Sequence, residues 1–351
     1  MDRKLRAILL ALVAALMLSI AACGDDDDDG GGDSGGGGDQ SAETTQESIK
    51  AGVVTDIGGL NDRSFNSLAN AGIKRAADEL GIEERVLLSK QQGDYIPNLT
   101  TLAQQQFDLI IPVGFLMADA TNTVATKVPN ANFAIIDFSA TGLKDKPKNV
   151  QGLLFKEQEA GYLAGYLAGL WAKDNNAKAV STVGGQKIPP VDHYIAGFQA
   201  GAKKANPGIQ TLNGYSQDFV DQAKCKEIAL DQISKGSKVV FQVAGGCGLG
   251  ALDAAKEKGV QGIGVDADQA YLGDHILTSA LKKVDVAVFD AVKRAQEGQF
   301  KGGTDVIASV ENGGVGLGKI SAEGQKYADQ VKEIQDQIAS GEITDIPDTV
   351  K

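Results

Sequence analysis

From Ile49 onward, short apolar runs of four to six residues alternate with amphipathic stretches of helical period, and few architectures accept that alternation. It predicts an α/β fold with a mainly parallel sheet. The expected strands lie at 51–55, 85–88, 109–113, 133–136, 150–154, 179–183, 210–215, 239–243 and 262–265. Between them, after Asp62, Phe65, Leu68, Ala69, Ile73, Ala76 and Leu80 share one helical face, with Asp62 placed to cap the first turn. Similar faces recur at 98–106, 158–171, 191–204, 221–234, 249–258, 284–296 and 323–338. About ten strands crowd one open sheet, which favours two lobes.

In doubly wound sheets, ligands bind outside the carboxyl ends of the strands, where loops meet helix N-termini. The polar and glycine-rich segments at 56–59, 114–119, 184–185, 245–248 and 266–268 stand at such ends. One loop of this kind carries little information; five predict a cleft.

Several function classes drop out. A formal charge of −12 and a pI near 4.7, with no Lys/Arg cluster, argue against a nucleic-acid partner. His193 and His275 lack metal-ligand spacing, so no metal is expected, and both read as surface or packing residues. Gly246-Cys247-Gly248-Leu249-Gly250 breaks the dinucleotide glycine spacing, no Walker loop or Gly-x-Ser-x-Gly elbow occurs, and no cofactor is expected. For Cys225 and Cys247, a disulfide and two free buried thiols both fit the sequence; a nucleophile would need a base that is not identified.

The N-terminus explains much of the charge. Residues 2–6 are basic and 7–22 apolar, the layout of a secretory signal peptide too short for a membrane span. Ile20-Ala21-Ala22-Cys23 has the shape of a bacterial lipobox, which predicts a lipid on Cys23. Residues 24–48 hold seven Asp and two Glu without Lys or Arg and are rich in Gly, a composition that reads as an extended tether. Together these features predict a protein anchored on the outer face of the cytoplasmic membrane.

The segment Val54-Thr55-Asp56-Ile57-Gly58-Gly59-Leu60-Asn61-Asp62-Arg63-Ser64-Phe65-Asn66 resembles the opening signature of the basic membrane protein family, the PnrA-like solute-binding lipoproteins of ABC importers. Further matches follow in order: GFLMADA (114–120), FKEQEAGYLAGYLAG (155–169), IPPVDHYIAGFQAG (188–201), VAGGCGLG (243–250), GIGVDADQ (262–269) and TSALKKVDVAV (278–288). The resemblance covers essentially all of 49–351. It implies a type I periplasmic-binding-protein fold of two α/β/α lobes, here 49–154 with 279–310 and 155–278 with 311–351. It also implies closure at three crossings, near 153–156, 279–282 and 310–313, and a nucleoside ligand.

By motif position, Phe65 and Phe219 look like the rings that sandwich the base, and Asn66 and Asp119 like base-edge partners. Asp266, Lys282, Gly245 and Gly246 look like ribose contacts, and Asp56 lies in the same signature. The chemistry agrees: rings stack on a purine's faces, and carboxylates accept its N–H donors and the ribose hydroxyls. A phosphate would meet carboxylates with no Arg fork, which favours nucleosides over nucleotides. Each residue has a structural alternative: core packing for Phe65 and Phe219, loop bridging for Asn66, turns or helix capping for Asp56 and Asp119, exposure beside Lys283 for Lys282. The cysteines depart from the family pattern at positions where small residues are expected.

The resulting expectation is a monomeric, non-enzymatic receptor that hands a nucleoside, a purine nucleoside above all, to an ABC permease with a separate ATPase. A sugar, an autoinducer-like compound or another polar metabolite in the same fold is the alternative; a secreted nucleoside hydrolase and a surface antigen are further ones.

Overall fold

Twelve strands and nine α-helices follow one another over residues 48–350, the part of the chain that the computed structural model describes. The leader at 1–22, Cys23 and the tether through residue 47 lie outside the described residues. The strands are β1 (Lys50–Val54), β2 (Glu83–Leu87), β3 (Leu109–Pro112), β4 (Asn132–Ile136), β5 (Val150–Phe155), β6 (Ala179–Gly184), β7 (Gln210–Tyr215), β8 (Ser237–Val243), β9 (Gln261–Asp266), β10 (Ile276–Lys282), β11 (Asp305–Ala308) and β12 (Val315–Leu317). The helices are α1 (Phe65–Leu80), α2 (Tyr95–Gln104), α3 (Ala118–Lys127), α4 (Glu157–Asp174), α5 (Pro189–Ala205), α6 (Gln222–Ser234), α7 (Gly245–Glu257), α8 (Val284–Gln296) and α9 (Ala328–Ala339).

Two six-stranded sheets result, ordered β11-β5-β4-β3-β1-β2 and β12-β10-β9-β8-β6-β7. All pairs are parallel except β10 with β12. Helices cover both faces, so the central strands are apolar throughout rather than alternating. In β3, Leu109 and Ile111 join the core beneath α1 and α8, while Ile110 joins the one beneath α2 and α3. In the second lobe, α4 and α5 cover one face and α6 and α7 the other. The α4–α5 contact needs glycine: Gly161, Gly165 and Gly169 recur every four residues, and a Cβ on Gly165 would stand 2.0 Å from the Phe198 carbonyl oxygen.

All nine expected strands form, most with slightly different ends. Three strands and α3 were not expected. The four residues of β11 lie at a sheet edge with Val306 and Ile307 exposed, β12 has three residues, and β10 mixes Thr, Ser and Lys into its run. The Ala- and Thr-rich α3 has Val124 as its one large apolar residue.

The chain crosses between the sheets three times: at Lys156 between β5 and α4, at Lys283 between β10 and α8, and at 309–314 between β11 and β12. The second crossing therefore lies beyond the expected 279–282, because β10 keeps its pairing with β12 through Lys282. The crossings are tied to one another: Lys156 N–H donates to the Ala308 carbonyl (2.8 Å), Lys283 N–H to that of Gly314 (2.9 Å), and Val310 N–H to Glu159 Oε2 (2.7 Å).

Candidate functional site

The carboxyl ends of both sheets converge on one cavity lined by residues of both lobes. The first lobe contributes Asp56 after β1, Phe65 and Asn66 at the start of α1, Gly114 after β3 and Asp137 after β4. The second contributes Val191 and Tyr194 of α5, Phe219 before α6, Gly245 and Gly246 at the start of α7, Asp266 at the end of β9 and Lys282 at the end of β10. Eight of the nine expected ligand residues thus line one space.

Asp119 does not. A 3-10 turn at Phe115–Met117 delays the start of α3, and Ala118, Ala120 and Thr121 take the inward positions, which leaves Asp119 exposed. Its place as an acidic cavity residue is taken by Asp137, which follows an expected strand as Asp56 and Asp266 do.

The two rings reach the cavity from opposite lobes. Phe219 lies over Gly185, where a Cβ would stand 2.2 Å from the ring's Cε1, so only glycine leaves the ring this position. Phe65 is the first residue of α1, a place fixed by Asp62, whose carboxylate accepts from the N–H groups of Asn66 (2.7 Å) and Ser67 (3.1 Å). Asp62 is thus the helix cap that the sequence predicts. The Asn66 side chain braces the same loop: Oδ1 accepts from Asp56 N–H at 2.9 Å, and Nδ2 donates to Asp62 Oδ2 at 3.1 Å.

The charged cluster of the site is built on Lys282, which is 2 % exposed while Lys283 beside it faces solvent. Its Nζ lies 2.6 Å from Asp137 Oδ1 and 2.8 Å from Glu157 Oε1, and Glu157 Oε2 lies 3.0 Å from His193 Nδ1. Burial alone would lower the Lys282 pKa, but Asp137, Glu157 and Asp266 raise it, so the ammonium stays charged. Burial raises Asp137 to about 7 against the pull of Lys282. Burial also pushes Glu157 upward, yet Lys282 and His193 hold it below the usual carboxylate range. Glu157 is a site-supporting residue that the sequence did not mark, its one legible signal being the first turn of a helix after a predicted strand; His193, read from the sequence as a surface or packing residue, is its partner. Burial raises Asp266, opposed by Lys282 and a hydrogen bond from Ser64.

Among the described residues lining the cavity, Lys282 is the one Lys or Arg. Among the described residues, no group of three or more His, Cys, Asp or Glu is placed to hold a metal ion. The Lys282 ammonium also lies 5.1 Å from the centre of the Phe65 ring, so the arrangement can take a flat molecule against aromatic rings and satisfy its donors and hydroxyls with carboxylates and an ammonium close by.

The family model for PnrA-like ABC transporter substrate-binding proteins, Bmp, matches residues 49–348. The chain belongs to the Bmp family. Among its Bmp relatives, the ABC transporter nucleoside-binding protein BmpA of Lactococcus lactis is 35% identical over 318 residues, covering 84% of this chain and 88% of BmpA. The CD4+ T-cell-stimulating antigen of Listeria monocytogenes is 35% identical over 314 residues, covering 83% and 86%. An ABC transporter solute-binding protein of Aeropyrum pernix superposes with a TM-score of 0.77 at 29% identity, covering 85% of this chain and 94% of that one. The expected type I periplasmic-binding-protein fold is therefore present, and this Bmp chain is an ABC transporter substrate-binding protein.

Its cysteines are joined: Cys225 of α6 and Cys247 of α7 form a disulfide with Cα atoms 5.6 Å apart. The bridge fastens the helix after Phe219 to the helix that opens with Gly245 and Gly246. Replacing both cysteines with alanine should cost about 3 kcal/mol of stability, the amount expected for closing a loop of this length. Urea titration of both proteins without reductant measures this, and coincident midpoints would contradict it.

Proposed function

We propose that this protein binds a purine nucleoside in the interlobe cavity and delivers it, chemically unchanged, to a membrane permease driven by a separate ATPase. In this reading a lipid on Cys23 holds the chain on the outer face of the membrane, and the acidic tether gives the lobes reach. The observation that carries the ligand assignment is that Phe65 and Phe219, from opposite lobes, line one cavity with four carboxylates and one ammonium. Each base–aromatic stack contributes about 1–3 kcal/mol, so two rings supply a large part of the roughly −8 kcal/mol of micromolar binding. Asp56 and Asp137 offer acceptors to purine N–H groups, and Asp266 with Lys282 suits a ribose diol. A nucleotide phosphate would meet these carboxylates without a guanidinium to balance them. The nucleoside-binding name of the Lactococcus relative supports the same ligand class.

The test is calorimetric titration of the full chain, stripped of bound ligand, with adenosine, guanosine, inosine, cytidine, uridine, AMP and ribose. Saturable heats for purine nucleosides, silence for ribose, and intact nucleoside recovered after long incubation are expected. Silence from folded protein toward every nucleoside would overturn the proposal, and release of free base would replace it with an enzymatic one.

A further inference from the structure

Ser64 precedes α1 in the helix-capping position, yet its hydroxyl makes no capping bond because the Asp62 carboxylate already holds the first-turn N–H groups. The freed hydroxyl is fully buried and points across the cleft. Its oxygen lies 2.6 Å from Asp266 Oδ2 and 3.2 Å from the Val265 carbonyl, and its single proton goes to the nearer carboxylate. A second tie runs alongside: Gln269 Nε2 donates to the Arg63 carbonyl at 3.3 Å, while Gln269 Oε1 accepts from Val265 N–H (3.2 Å) and Gln242 Nε2 (2.9 Å). Ser64 and Arg63 belong to the first lobe, Asp266 and Gln269 to the second, and none lies in a crossing.

We infer that Ser64 is a positioning residue for ligand retention: a latch that engages Asp266 when the lobes meet and thereby sets how long a bound molecule stays enclosed. The physical basis is the asymmetry of a buried carboxylate. In the closed form, Asp266 Oδ1 has Tyr194 at 3.2 Å and Oδ2 has Ser64, so both oxygens are satisfied without water. Once the lobes part, water replaces Ser64 at little cost. Removing the hydroxyl therefore penalises the closed form alone, because only there would Oδ2 be buried without its partner. Asp266 also lines the cavity, so the latch aims the carboxylate that faces the ligand.

The choice of ligand for the test rests on the nucleoside reading; the latch itself does not. In stopped-flow measurements on the full chain, Ser64→Ala should speed nucleoside dissociation by about tenfold while association stays within about twofold. Ser64→Thr, which keeps the hydroxyl, should restore slow release. A residue with a merely structural role would not split the two rates in this way. Dissociation from Ser64→Ala at the wild-type rate would overturn the latch. A second arm needs no ligand: with Ser64→Cys and Asp266→Cys together, mild oxidation of ligand-free protein should join the two peptides, as read by peptide mass mapping. Folded protein that yields no such cross-link would also overturn the latch. Wild-type protein that binds no nucleoside would refute the ligand reading, and the cross-link would still decide the latch.

Discussion

Replacing Lys282 by methionine is expected to lower the unfolding free energy by about 3–5 kcal/mol, the usual consequence of removing one partner from a buried ion pair. Methionine preserves much of the length and apolar volume, so the loss is electrostatic. Without the ammonium, Asp137 and Glu157 face each other inside the protein with their central cation gone. Their carboxyl groups would then titrate at higher pH in the folded state than in the unfolded one. Stability held by a carboxyl group whose folded pKa is raised is present below the unfolded pKa and lost as pH rises through the folded one. The variant should therefore be closest to wild type near pH 4 and furthest from it at pH 8. In the wild type, Asp137 already follows this sign, losing its contribution as pH rises through about 7, whereas Glu157, held low, contributes in the opposite direction. Urea midpoints of both proteins from pH 4 to 8 measure the effect. A variant that tracks the wild type across that range would refute this account of the cluster.

Removal of the Phe219 ring should weaken purine nucleoside binding by about 5- to 150-fold, the 1–3 kcal/mol of one base–aromatic stack. The loss belongs to the ligand rather than the fold, because Phe219 is only partly buried, in a loop before α6. Gly185→Val provides a second route to the same end. A side chain there collides with the ring and displaces it while leaving Phe219 itself in place. Calorimetry should show comparable losses for Phe219→Ala and Gly185→Val, with little additivity in the double variant. Wild-type affinity in both would remove this ring from the binding site.

What the sequence discloses follows physical rules that can be traced residue by residue. Apolar runs buried on both faces are legible because nothing interrupts them, as in the IIP and FAII segments of β3 and β4. β11 is not, since an edge strand of four residues needs no continuous apolar run. The site was legible where a motif placed a residue directly at a strand end, as for Asp56 and Asp266. Asp119 failed because a short 3-10 turn, invisible in composition, rotated its helix by part of a turn. Asp137 obeys the same strand-end rule but lies in none of the motifs that mark the other site residues. Ser64 could not be read at all: its role depends on a carboxylate 202 residues away, and on Asp62 having already taken the local N–H groups.

The placement of Lys282 has a mechanical consequence. The ammonium ends β10 immediately before one crossing, and Glu157 opens α4 immediately after another, so the charge cluster sits on the fulcrum of the two lobes. Points on a fulcrum scarcely travel while the far rims swing. A swing about these crossings would leave the ammonium beside Glu157, which the same lobe carries, so an arriving molecule would meet part of the electrostatic field already assembled.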